Sequence, residues 1–157
     1  MDVLMSNFLN RQKAAVKELV QKLSRRFSYV SVLGTDTLGK RYDVKKTGVS
    51  IKDSMWTERG FVARIYNGVN YFEYSFNDIS GDNVDEIAKR ITEIALDSLN
   101  NMKGRVKISS YPLIQEKEIE KSYTGQVGID PADVSDSDIL KKLNLVKDEG
   151  LNMSDIV

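Results

Sequence analysis

The sequence predicts an α+β fold: a mostly antiparallel sheet of four to five strands covered by two main helices, with a C-terminal extension carrying a short helix. Three observations predict it. Asn67-Gly68 separates two apolar-rich runs within Arg59–Ile79, which marks a hairpin with a tight loop. Apolar residues recur at helical spacing in two places, Phe8, Leu9, Val16, Leu19, Val20, Leu23 and Phe27, and later Val84, Ile87, Ala88, Ile91, Ala95 and Leu99. Between them lie short alternating runs, Arg41–Lys46 and Val49–Met55, separated by a turn at Thr47-Gly48. Helices at both ends of a strand-rich middle give an antiparallel sheet with helices on one face.

Each element has local reasons. Ser6 is placed to cap the first helix, and the exit side of that helix is basic, which suits the negative end of the helix dipole. Its polar face, Arg11, Lys13, Lys17, Lys22, Arg25 and Arg26, is expected to be a solvated face. Tyr29–Leu33 follows as a short strand. Closure of Asn67-Gly68 as a two-residue type I′ loop, with φ > 0 at both positions, would set Tyr66 opposite Val69 and so on to Phe61 opposite Tyr74. One hairpin face then carries Phe61, Ala63, Ile65, Phe72 and Tyr74. The other carries Val62, Arg64, Tyr66, Val69, Tyr71 and Glu73, with Arg64 diagonal to Glu73. Asn83 and Glu86 form a capping-box pattern before the second main helix, which should end near Lys103-Gly104. Residues 104–131 show only a brief alternation at Val106 and Ile108 and one Tyr111-Pro112 step; a connection of that length is draped, functional or disordered. Ser135 with Asp138 then opens a short helix whose stripe is Ile139, Leu140, Leu143 and Val146, ahead of Gly150.

Composition narrows the chemistry. The 157 residues, with 23 basic and 23 acidic side chains, hold no histidine and no cysteine. The usual zinc sites, thiol redox work and histidine-based triads are thereby excluded from this chain. The balanced charge gives no reason for a nucleic-acid partner, and no apolar run reaches membrane-spanning length. The N-terminus lacks the form of a secretory signal, so the expected location is cytoplasmic. Gly34-Thr35-Asp36-Thr37-Leu38-Gly39-Lys40-Arg41 approaches a phosphate-binding loop, but Arg41 replaces the magnesium-binding hydroxyl and a strand, not a helix, follows; a hairpin loop is the plainer reading. Asp130, Asp133, Asp136 and Asp138 lack the glycine and closing glutamate of a calcium loop and fit helix capping. Among Asp43, Asp53, Glu58, Glu73 and Asp78, nothing in the sequence brings two carboxylates together for acid–base work.

The ordered set of Arg59-Gly60-Phe61-Val62-Ala63-Arg64-Ile65, Asn77-Asp78-Ile79 before a helix, and Ile129-Asp130-Pro131 with Val134-Ser135 before another resembles the N-terminal domain of the TldD/PmbA family, metallopeptidases also labelled modulators of DNA gyrase. The likeness spans most of the chain; Tyr71-Phe72 stands where the family has a glycine-phenylalanine pair. The resemblance implies an α+β domain at residues 1–104, with 105–157 as linker, short helix and start of a following domain, the chain ending inside a larger protein. It further implies a homologous subunit as partner, identical or sister, and unfolded peptides as substrate. Zinc would belong to a His-Glu-x-x-x-His helix in a C-terminal domain, so no catalytic residue and no metal ligand carries over to this sequence. The function so implied is scaffold, dimer contact and chamber wall, not catalysis. Arg64, Tyr66 and Tyr71 are the candidate substrate-lining residues, with an Arg64–Glu73 ion pair as the structural alternative. A freestanding module that accepts a peptide on its sheet edge is the rival reading.

Overall fold

The computed structural model describes residues 5–54, 57–102 and 109–153. Three expectations fall outside them: the strand end at Met55 and Trp56, the Lys103-Gly104 helix end with the Val106 and Ile108 alternation, and the chain terminus. The elements run α1 (Asn7–Ser24), β1 (Val30–Thr37), β2 (Lys40–Lys45), β3 (Gly48–Asp53), β4 (Glu58–Tyr66), β5 (Tyr71–Phe76), α2 (Val84–Met102), a 3-10 turn (Pro131–Asp133) and α3 (Asp136–Met153). The fold is α+β and its strands pair antiparallel. They are shared between two sheets, a three-stranded one in the order β1-β4-β5 and a two-stranded one of β2 and β3. The chain forms two compact units.

The larger unit comprises Ser6–Asp36 and Glu58–Lys121. Ser6 caps α1 as its sequence predicts, its Oγ accepting from Leu9 N at 3.2 Å. Leu19 and Leu23 of α1, Ala63 and Ile65 of β4, Ile79, and Val84, Ile91 and Ala95 of α2 are fully buried together. Each large aliphatic side chain removed from water in this way contributes about 1.5–3 kcal/mol. Phe61 lies between the rings of Phe8 and Phe76, with centroids 5.6 and 5.4 Å away. Gln12, the buried polar side chain of α1, accepts the Ile79 N–H at 2.7 Å and so ties the exit of β5 to the helix. Before α2, the side chain of Asn83 reaches back to accept from Ser80 N at 2.8 Å. At the far end of the sheet Asp36, with a side chain only 4% exposed, meets Arg59 at 2.8 Å, and the Arg59 guanidinium sits 4.8 Å over Phe8. Burial works to raise the Asp36 pKa, but hydrogen bonds from Ser6 and Arg59 outweigh it and hold the carboxyl below its usual range.

The hairpin register differs from the expectation by two residues. Tyr66 pairs with Tyr71, Ile65 with Phe72, Arg64 with Glu73, Ala63 with Tyr74 and Phe61 with Phe76. The connection is therefore the four residues Asn67-Gly68-Val69-Asn70, not a two-residue type I′ loop. The cause is the Asn67 side chain, whose Oδ1 accepts from both Val69 N (3.1 Å) and Asn70 N (2.9 Å), while Asn67 N donates to Asn70 O. Gly68 alone in the loop takes a positive φ, +99°, whereas a type I′ loop needs two. A shift of two preserves which face each side chain occupies, so the apolar face of Phe61, Ala63, Ile65, Phe72 and Tyr74 meets the helices as expected. Val69 leaves the opposite face for the loop, and Arg64 sits directly across from Glu73 instead of diagonally.

The smaller unit takes in Thr37–Thr57 and residues from Ser122 onward. Lys46-Thr47 closes β2 onto β3, with Tyr42 opposite Ile51 and Val44 opposite Val49. The segment that approaches a phosphate-binding loop is strand up to Thr37 and again from Lys40, joined by Leu38-Gly39, in keeping with the plainer reading of a loop between strands. Its lysine is engaged: Asp136 at the start of α3 accepts from Lys40 Nζ at 2.8 Å and from Tyr42 Oη at 2.6 Å. Those two donors, Lys40 first, hold the Asp136 pKa below the ordinary carboxylate range. Ser135 caps α3 as predicted, its Oγ accepting from Asp138 N, and the Asp138 carboxylate accepts from the Ser135 hydroxyl where a capping box would have it accept from the backbone N–H. Asp130 caps the 3-10 turn through Ala132 N. Helix α3 is 18 residues long, not short, and passes through Gly150. Glycine inside a helix costs only about 0.5–1 kcal/mol, and half-buried Ile139, Leu140, Leu143 and Leu151 continue the stripe on either side of it. Val146, assigned to that stripe, is instead 67% exposed.

Candidate polypeptide-binding face

The face of the three-stranded sheet opposite the helices is where the sequence-predicted residues fall. Alternation along β4 sends Arg64 and Tyr66 to this face, and register places Glu73 and Tyr71 beside them. Tyr66 and Tyr71 form the last pair before the loop, and their rings meet at 5.2 Å. Tyr29, just ahead of β1, sets its ring edge-on to Tyr71 at 5.6 Å. Its carbonyl accepts from Tyr66 N at 3.0 Å, which locks the three tyrosines into one cluster. Arg64 is not part of that cluster chemistry. Its Nε donates to Glu73 Oε1 at 2.6 Å, so its charge is matched across the strand pair, as the structural alternative had it.

What the tyrosines hold is main chain. Tyr66 Oη donates to the carbonyl of Tyr111 at 2.9 Å, Tyr71 Oη donates to the carbonyl of Pro112 at 3.2 Å, and Ile114 N donates to Tyr71 Oη at 2.7 Å. Val69 O, in the hairpin loop, accepts from Tyr111 N at 2.8 Å. Tyr111-Pro112 is predisposed to this arrangement: the residue before proline is pushed toward extended φ and ψ, and proline fixes its own φ. Farther along the same segment, Glu120 meets Lys13 at 3.0 Å and Lys17 at 2.7 Å on the polar face of α1. Hydrogen bonds from Lys17 and then Lys13, with their charges, depress the Glu120 pKa to about 2. The rest of the basic face is similarly engaged at Lys22, which pairs with Glu18 and Asp85.

The connection at 109–121 is thus draped and extended, and it supplies half of the site. Tyr66 and Tyr71, singled out in the sequence, lie on this face; Tyr29, the Val69 carbonyl and the docked Tyr111–Ile114 segment join them there without having been anticipated. A tyrosine-rich strand end and a lone Tyr-Pro step elsewhere in the chain were the available signals. Among the described residues no group of three or more His, Cys, Asp or Glu side chains is placed to hold a metal ion, and none of the helices is long and apolar enough to cross a membrane. With no histidine or cysteine in the sequence, the side chains present do not fit the zinc that the family resemblance assigns to a separate domain. Comparison with known proteins found no matching family model, no matching curated protein and no matching solved structure.

Proposed function

We propose that this chain is a non-catalytic, cytoplasmic scaffold and substrate-chamber domain of a TldD/PmbA-like peptidase that acts on unfolded peptides with a homologous subunit, the zinc chemistry residing in another domain. The observation that carries the reading is the sheet face on which Tyr66, Tyr71 and Val69 engage backbone carbonyls and N–H groups of an extended segment. Backbone groups are common to all unfolded polypeptides, so a surface that grips them accepts many sequences. Purifying the native protein, weighing it and assaying zinc content and peptide hydrolysis tests this. A subunit larger than the 157-residue chain with zinc-dependent turnover supports the proposal; a native product of this size without turnover rejects it. A freestanding module that takes a peptide by strand addition is the second reading, and the terminal positions of β1 and β5 in the sheet order favour it. The same mass measurement separates the two.

A further inference from the structure

The tyrosine face carries an occupant, and the manner of its occupation defines a ligand class. At Pro112 the backbone offers a carbonyl but no N–H, and what meets it is a donor, Tyr71 Oη. Tyr111, immediately before it, likewise presents its carbonyl to a donor, Tyr66 Oη. Two phenol donors aimed at successive carbonyls of an aromatic-proline step, on a platform of three packed rings, match the chemistry by which aromatic surfaces recognise stiff, extended, proline-containing segments. The occupant is lightly held. Tyr111 is 64% exposed and Leu113 38%, so docking rests on hydrogen bonds and on the exposed Glu120 pairs with little buried apolar area. Segments held in that way open locally at far lower cost than a packed core.

We propose that the face built from Tyr29, Tyr66, Tyr71 and the Val69 carbonyl is an exchangeable docking site for extended polypeptides carrying an aromatic-proline or similar X-Pro step, and that residues 109–121 occupy it in the resting chain as an intrinsic competitor latched by Glu120 to Lys13 and Lys17. The proposal rests on the reading that this domain handles extended polypeptide, and adds to it the ligand class and the device that regulates access. A tethered occupant acts at an effective concentration of about millimolar, so an incoming peptide binds weakly until the latch loosens. Glu120→Gln loosens it without changing the docking face.

The test is a fluorescence-anisotropy titration of the 157-residue chain with a labelled peptide of residues 109–116, Ser-Ser-Tyr-Pro-Leu-Ile-Gln-Glu. The expected results are saturable binding to Glu120→Gln, at least about threefold tighter than to the unmodified chain because more of the site is free. Adding Tyr66→Phe and Tyr71→Phe to that variant weakens binding about tenfold or more, since both carbonyl donors go while the rings stay. A peptide with alanine at the Pro112 position also binds the Glu120→Gln chain more weakly, a comparison that needs no further change in the protein. Absence of saturable binding to Glu120→Gln, equal affinity with and without the latch, or indifference to the tyrosine hydroxyls and the proline overturns the proposal. No turnover, metal or second subunit enters this titration, so its failure is distinct from failure of the scaffold reading, which the native mass and zinc assay decide.

Discussion

The two units of this chain are stabilised by different physics. In the larger one, aliphatic side chains from α1, β4 and α2 are removed entirely from water, and polar groups such as Gln12 and Asp36 are paired where they are buried. In the smaller one, no described residue of β2, β3 or α3 is buried, and the joint between helix and hairpin is the Lys40–Asp136–Tyr42 triad backed by the Ser135–Asp138 cap. Burial on the first scale sets global stability; exposed ion pairs and caps fix local geometry at a contribution of about 0–1 kcal/mol per pair. The lesson is that one chain of even composition can contain a unit that carries the fold and another that is shaped mainly by polar contacts.

The largest expected effect that sharpens this contrast is Ile91→Ala, which removes a fully buried side chain of α2 and should cost about 2–5 kcal/mol in urea denaturation. Ile51→Ala in β3, at an exposed position, should cost less than about 1 kcal/mol in the same experiment. Equal costs would break the comparison. Next in size, Gly34→Ala in β1 would set a Cβ 2.7 Å from Phe61 Cε1 and 3.0 Å from Leu9 Cδ2. That overpacking should lower stability by about 1–3 kcal/mol, read as a drop in Tm.

Smaller still is Asp136→Asn, expected to raise amide exchange in β2 and at the start of α3 while the exchange of β4 stays as it was. Its pH dependence has a definite sign. Because the folded Asp136 pKa lies below the usual value, its contribution is complete above the ordinary carboxylate range and is lost as pH falls through the lowered value. For Glu120 the window is explicit: the latch to Lys13 and Lys17 is fully present above 4.5, the ordinary value, and released as pH falls toward about 2. Raised salt at neutral pH should weaken the same latch, because both partners are exposed. Exchange rates along residues 109–121 at several pH values and ionic strengths check both statements.

What was legible in the sequence was local. The caps at Ser6 and at Ser135 with Asp138 depend on contacts three residues apart, and the helical stripes of α1 and α2 on contacts one turn apart. The two faces of the hairpin were legible because parity survives a slip of two residues; the register was not, because Asn67 chose to bind Val69 and Asn70 with its side chain. The division of five strands between two sheets depends on long-range pairing of β1 with β4, which no local pattern encodes. Docking of Tyr111–Ile114 across more than 40 residues of sequence was hidden for the same reason.

Tyrosine hydroxyls on the open sheet face hold the backbone of Tyr111–Ile114. Hydrogen exchange at the Ile114 amide in Tyr71→Phe addresses it most directly, because that amide donates to Tyr71 Oη. Ile114 is expected to exchange faster in the variant while the amides of β4 keep their protection. An Ile114 amide that exchanges as slowly without the hydroxyl as with it, or at the free-peptide rate in both, would contradict it.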